Sequence, residues 1–209
     1  MIRKNKKTLW VTSLIILLPL LTGLLLWGRL PEKMPIHWNF SGEVDGWSGK
    51  TFGVCFLPLF LLGAHWFIVG CMCLDPRSAN ISGKSLAISL WLMPVFSNGM
   101  SSFVYASALG VGPDVKVFLG VGFGVLFLIL GNWLPKCRPN YTVGIRLPWT
   151  LASDEVWTKT HRLAGKIWMA GGAVLLLTAF LGGFWWVLLL VLAVDIAAPT
   201  VYAIVLSRR

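Results

Sequence analysis

Residues 117–134 read VFLGVGFGVLFLILGNWL, without a charged side chain, and residues 135–165 read PKCRPNYTVGIRLPWTLASDEVWTKTHRLAG. The first stretch is long and apolar enough to cross a ~30 Å hydrocarbon core as a helix. Pro135 then stops it. The second stretch begins at once with Lys136 and Arg138, and with Lys166 it carries six of the eighteen basic residues of the chain. It also holds Trp149, Trp157 and three prolines, with Trp133 just before it. A plain connector between membrane helices needs none of these, so something is built or bound there.

Outward from this junction the same alternation recurs. Apolar runs at 9–27, 52–74, 86–111, 167–182 and 184–206 join 117–134 to make six predicted spans. The fifth is short and is expected to continue from a helix that starts in the preceding loop. With 56% hydrophobic and 12% charged residues in 209, and a mean hydropathy of +0.76, the chain has no soluble interior large enough for its apolar surface. The predicted fold is therefore an all-α bundle of six transmembrane helices forming a single membrane domain over 1–209. The longest polar stretch is about thirty residues, which excludes a large extramembrane enzyme domain.

Charge orients the bundle. The N-terminal segment, the 75–85 turn, the 135–166 loop and the C-terminus hold 4, 2, 6 and 2 Lys/Arg, fourteen in all. Only Arg29, Lys33, Lys50 and Lys116 fall on the other side. Basic residues concentrate on the cytoplasmic side of membrane proteins, so both termini and the 135–166 loop are expected inside and the 31–51 loop outside. The same bias accounts for the net charge of +10 without direct nucleic-acid binding. The basic start and the apolar run after it resemble a signal peptide, but Gly28-Arg29-Leu30-Pro31 offers no small-x-small cleavage pattern, so the run is read as an uncleaved first span. No internal repeat supports an inverted-repeat transporter. Cys55, Cys71, Cys73 and Cys137 form no CxxC pair and suggest no disulfide framework.

The outer loop, PEKMPIHWNFSGEVDGWSGKT at 31–51, alternates apolar Met34, Ile36, Trp38 and Phe40 with Pro35, His37, Asn39 and Ser41. This is strand periodicity with one apolar face. Ser41-Gly42 and Asp45-Gly46 are expected turns. Two readings stand: a recognition edge using His37, Asn39, Glu43 and Asp45, or a cap whose polar groups bond its own backbone. His37 is the only histidine predicted outside, so no metal site is expected.

In the inner loop, Ser153 is the expected N-cap of a helix whose first turn holds Asp154 and Glu155, where the helix dipole favours negative charge. Val156, Trp157, Thr160 and Ala164 then share one face, with Glu155, Lys159 and Arg162 on another. Such an amphipathic helix either docks a cytosolic protein or anchors the loop to anionic lipid. Arg146, His161 and Arg162 are candidates for an anion site. No nucleophile is paired with a base, so no catalytic residue and no cofactor is expected.

Within the spans, Asp195 needs a partner, because a central carboxylate costs at least ~2.5 kcal/mol to insert; a contact with His65 is one reading, and a protonated Asp195 bonded to a neighbouring helix is the other. Ser97, Ser101 and Tyr105 share a face beside Asn98 and predict a hydrogen-bonding seam. Gly120-x-x-x-Gly124 predicts close helix approach.

The motifs PxHWNxxGxxDGW at 35–47 and GNxLPKxRPNxxxGIRxPWTLxxxxVWxxTHRxxG at 131–165 resemble those of the SdpI family of bacterial membrane proteins. The resemblance implies an immunity protein against a secreted antimicrobial peptide toxin. It also implies a receptor that, with toxin present, holds a cytosolic transcriptional repressor at the membrane. Outside, the family motif takes in His37, Trp38, Asn39, Gly42 and Asp45, and Glu43 lies within it. Inside it takes in Asn132, Pro135, Lys136, Arg138, Asn140, Gly144, Arg146, Pro148, Trp149, Thr150, Trp157, Thr160, His161 and Arg162. Two rivals remain: a small transporter with Asp195 as coupling group, and a membrane enzyme using His161 with Asp154 or Glu155.

Overall fold

The computed structural model describes residues 2–81, 83–181 and 184–208, with side chains from Asn5 onward. Its elements are α1 (Ile2–Leu25), β1 (Lys33–Trp38), β2 (Val44–Gly49), α2 (Lys50–Leu74), α3 (Gly83–Ala108), α4 (Val115–Trp133), α5 (Pro148–Ala152), α6 (Asp154–Thr178) and α7 (Phe184–Ser207). Five segments, Asn5–Leu25, Lys50–Leu74, Gly83–Ala108, Val115–Lys136 and Phe184–Ser207, are long and apolar enough to cross a membrane. The chain is thus a mostly helical, multi-pass membrane protein. The fifth predicted span is the second half of α6, which runs unbroken from the preceding loop as expected. The last predicted residue of that span, Gly182, lies outside the described residues. The chain divides into two compact units, Met1–Cys73 with Leu86–Val115, and Leu74–Ser85 with Lys116–Arg209.

Prolines govern the first unit. Pro19, Pro58 and Pro94 sit inside α1, α2 and α3. Each lacks the N–H that would bond the carbonyl four residues earlier, and in hydrocarbon no water replaces it. The carbonyl freed by Pro19 is that of Ile15, and Asn98 Nδ2 of α3 donates to it at 2.8 Å. Beside it Ser97 Oγ donates to Ile16 O at 2.8 Å, and Tyr105 Oη donates to Pro19 O at 3.0 Å. The carbonyl freed by Pro58 is that of Val54, which lies 3.5 Å from the same Tyr105 hydroxyl. The seam predicted along α3 is therefore a row of donors aimed at proline-interrupted backbone. Gly23 lets the helices close here, since a Cβ on it would lie 2.4 Å from Val54 Cγ1.

The outer loop forms an antiparallel hairpin. Met34 is fully buried with Leu30, Val54, Val104 and Tyr105, and Trp38 packs on Phe103 with ring centroids 4.9 Å apart. The predicted single apolar face is not kept. Irregularities in the pairing on both sides of His37 break the alternation, leaving Ile36 45% and Phe40 71% exposed. Asp45-Gly46 is not a turn but part of β2, opposite His37. The turn is 39–43, where Gly42 adopts φ 92° and Asn39 binds Glu43. Lys50 fastens the hairpin base: its buried ammonium donates to Trp27 O at 3.1 Å and to Glu32 Oε1 at 2.8 Å.

In the second unit α4 and α6 meet through small residues. A Cβ on Gly124 would lie 2.6 Å from Leu176 Cγ, one on Gly172 2.7 Å from Gly124 O, and one on Gly131 2.7 Å from Met169 N. The expected Gly120/Gly124 approach is thus part of a longer seam, since Gly120 meets Ala179 in the same way. Phe127, Leu175, Phe184, Leu188 and Val191 fill the core beside it. In α7, Pro199 frees the carbonyl of Asp195, and Trp168 Nε1 donates to it at 3.2 Å.

Removing one of these donors tests the proline argument. Asn98→Ala is expected to destabilise the purified protein in detergent by about 1–2 kcal/mol. In a Pro19→Ala background, where residue 19 regains its N–H, the same change is expected to cost clearly less. Equal costs in the two backgrounds refute the argument.

Candidate functional site

The inner motif is organised around one asparagine and one tryptophan–histidine pair. Asn140, 2% exposed, uses its whole amide: Nδ2 donates to Arg138 O (2.8 Å) and Val143 O (2.9 Å), and Oδ1 accepts from the N–H of Thr142 (2.9 Å) and Val143 (2.6 Å). That fixes the 138–143 turn. Trp157, fully buried on α6, donates from Nε1 to Cys137 O at 2.9 Å, and its ring stacks on His161 at 4.1 Å. His161 Nδ1 donates to Trp157 O at 2.8 Å, and Nε2 accepts from the N–H of Ile145 at 2.9 Å. A carbonyl only accepts and an amide only donates, so the imidazole is held neutral with its proton on Nδ1. Burial pulls its pKa down to about 4, against the opposing pull of the Trp157 carbonyl.

Two further residues complete this core. Gly144 has φ 121°, and a Cβ there would lie 2.7 Å from His161 Nε2 and 2.9 Å from the Trp157 ring. Thr150, buried on α5, donates to Ile145 O at 2.7 Å and accepts from Leu147 N at 2.9 Å. Cys137 donates its thiol to Val143 O at 3.3 Å, and burial pushes its pKa up to about 11.

Sequence reasoning missed the other half of this assembly. Asp75, just after α2, is buried; its Oδ2 accepts from Tyr141 N (2.9 Å) and Thr142 Oγ1 (2.7 Å), and its Oδ1 from Arg77 N (2.7 Å). Burial raises its pKa, but the bonds from Thr142, Arg77 and Tyr141 outweigh it and hold the carboxyl below its ordinary value. Asn80 Nδ2 donates to Pro139 O at 2.7 Å, and Arg77 reaches Asp154 at 3.2 Å. The Asp-Pro-Arg run after an apolar helix was the available signal.

The expected amphipathic helix is present, with Ser153 Oγ accepting from Val156 N at 3.3 Å and Glu155 paired with Lys159. Its apolar face, however, is not a lipid anchor. Val156, Trp157, Thr160 and Ala164 are all buried, and Trp157 sits against the chain's own 137–144 loop. The cations Lys136, Arg138, Arg146 and Arg162 are exposed, as is Asn132, which bonds Lys136. An open groove of about 860 Å3 lies at the end of α7, lined by Pro148, Trp149, Glu155, Val156, Lys159 and Leu206 among others.

The anion site of Arg146, His161 and Arg162 is not formed, because both His161 nitrogens are taken by backbone groups. For the same reason His161 has no acid–base pairing with Asp154 or Glu155, whose side chains bond Arg77 and Lys159. Among the described residues no group of three His, Cys, Asp or Glu is placed to hold a metal.

On the hairpin, His37 Nδ1 pairs across the strands with Asp45 Oδ1, both well exposed. Asn39 and Glu43 close the turn through their own backbone and side chains, as the cap reading describes. Within the spans, His65 Nε2 bonds Thr12 Oγ1 at 3.2 Å, and neither carboxyl oxygen of Asp195 has a hydrogen-bond partner among the described residues. The expected His65–Asp195 partnership is therefore not made: each hydrogen-bonding capacity is either spent elsewhere or left unmet.

Two outcomes follow for the inner core. Gly144→Ala is expected to cost about 2 kcal/mol or more, read as a lower melting temperature, because it adds both strain and overlap. Acid should also open the core. His161 takes up a proton near 6.5 when unfolded but only near 4 when folded. Its contribution is thus complete above the unfolded value and is lost as pH falls toward 4, by ~1.4 kcal/mol per unit. Protection of the 140–147 amides, corrected for the intrinsic slowing of exchange by acid, should fall through that window, and constant protection would contradict the assignment.

Comparison with known proteins follows the same two regions. Residues 136–203 match the model of the SdpI/YfhL protein family, and residues 14–62 match a domain of unknown function, DUF1648. Over 187 residues the chain is 24% identical to the immunity protein SdpI of Bacillus subtilis (strain 168), covering 90% of this chain and 88% of that protein. No solved structure matches. The chain is similar to the SdpI family through the inner motif and along most of its length.

Proposed function

We propose that this chain is an immunity protein that protects a bacterium from a secreted peptide toxin, in the cytoplasmic membrane, and that it also signals toxin to the cytosol. The likeness to an immunity protein over 90% of the chain carries the reading. The toxin meets the hairpin at His37, Trp38, Asn39, Glu43 and Asp45. Of these, the His37–Asp45 pair is the exposed polar feature not used in closing the turn. Trp38 ties that edge to the helices through Phe103.

On the inner side the groove lined by Trp149 and Lys159, together with the exposed cations Lys136, Arg138, Arg146 and Arg162, receives a cytosolic transcriptional repressor. The buried motif residues Asn140, Thr150, Trp157, Thr160 and His161 set the shape of that surface rather than touch the partner. Toxin moves the equilibrium only if it binds one packing of the helices better than another.

A second reading, a small transporter with Asp195 as coupling group, draws on the unpaired carboxyl in α7. It predicts a proton-dependent flux in vesicles that Asp195→Asn abolishes.

Survival of a toxin-sensitive bacterium tests the first reading. The wild-type chain is expected to protect, while His37→Ala and Asp45→Ala lose protection at unchanged membrane abundance. Full protection by both variants refutes the hairpin assignment; no protection by the wild-type chain, shown to be in the membrane, refutes immunity to the toxin used. Trp149→Ala is expected to abolish repressor recruitment while leaving protection intact.

A further inference from the structure

One acid in the second unit is buried with nothing to balance it. Asp195 lies midway along α7 and is 4% exposed, and both carboxyl oxygens are sealed from solvent without a hydrogen-bond partner among the described residues. The neighbouring backbone is satisfied, since Trp168 Nε1 donates to the Asp195 carbonyl at 3.2 Å. The carboxyl itself faces Gly171 of α6, where a Cβ would lie 3.4 Å from each oxygen.

No cation is at hand on the elements packed there. α6 carries no titratable side chain between Ile167 and Thr178, α4 none between Val117 and Trp133, and α5 none at all. Lys166, the nearest basic residue along α6, is exposed. On α7 the only other titratable group is Tyr202, seven residues on. An ionised carboxylate here would lose its water and gain neither a positive charge nor an N–H. Such a group takes up a proton instead of carrying the charge.

We propose that Asp195 is a proton-binding site, occupied in this packing, and that loss of its proton parts α7 from α6 at Gly171. On the α4 side, Gly172 and Gly131 meet backbone (Gly124 O and Met169 N), whereas on the α7 side Gly171 meets only side chains, those of Val191 and Asp195, so the α7 side is the one that can give. α6 is a single helix from Asp154, and Trp157 lies fourteen residues, about four turns, before Gly171. A change at Asp195 therefore acts on the same rod that carries Trp157 and His161. The ligand is a proton; no transported solute is required, and the inference stands whether or not the immunity reading does.

Infrared spectroscopy of the full chain in lipid vesicles tests it. At neutral pH the wild type is expected to show a protonated-carboxyl C=O stretch that shifts in D2O. The band should be missing from Asp195→Asn and kept, at altered frequency, in Asp195→Glu. Asp195→Asn is expected to melt at or above the wild-type temperature, because a neutral isostere replaces a neutral acid. Titrating the band away with alkali should lower the protection of the 165–175 amides in the wild type below that in Asp195→Asn at the same pH. A wild-type spectrum without that band, or Asp195→Asn melting well below wild type, overturns the proton site. Equal protection in the wild type and Asp195→Asn at the pH where the band has disappeared overturns its link to α6.

Discussion

Where a proline interrupts a helix in hydrocarbon, a carbonyl loses its donor and no water can take over. Much of this structure follows from how those carbonyls are supplied. Asn98 serves the one released by Pro19, Tyr105 approaches the one released by Pro58, and Trp168 serves the one released by Pro199. In each case the donor belongs to another helix, so the interruption of one helix becomes the bond that positions its neighbour. Polar residues that look like a permeation path in a hydropathy plot are, in α3, the means by which α1 is held.

The motif at 131–165 is likewise a structural core with an exposed polar surface. Asn140, Thr150, Trp157 and His161 satisfy loop backbone, and Gly144 makes room for the two rings. A loop of this length has many polar backbone groups to satisfy, and buried side chains of fixed geometry are one way to satisfy them without regular structure. The cations of the same motif point outward. A motif of more than thirty residues thus divides into a buried part that makes the shape and an exposed part, and only burial separates the two.

The sequence was most legible where one period rules a long stretch. Five of the predicted spans coincide with apolar helices to within a few residues, and Ser153 caps α6 as its spacing suggested. It was least legible where pairing is non-local. The hairpin's alternation hid the irregularities around His37 that turn Ile36 outward, and Asp45-Gly46 has turn composition although Gly46 is there to clear His37 Cβ at 2.7 Å. Asp75 was overlooked because its role is set by Tyr141 and Thr142, more than sixty residues away. His65 and Asp195 were paired on depth alone, and depth does not fix which side chains meet. For the site, residue identity was legible but role was not: His161 resembles a ligand in sequence and is a backbone bond in the fold.

The proposed function requires the two motifs to lie on opposite sides of the membrane. Charge asymmetry predicts this, with fourteen of eighteen basic residues in the segments expected inside. The direct measurement is labelling of intact cells with a membrane-impermeant thiol reagent, using single cysteines at Ser41 and at Thr158 in a background with the four native cysteines replaced. The account predicts labelling at position 41 in intact cells and at position 158 only after the membrane is opened. Labelling of both positions in intact cells, or of neither, would contradict it.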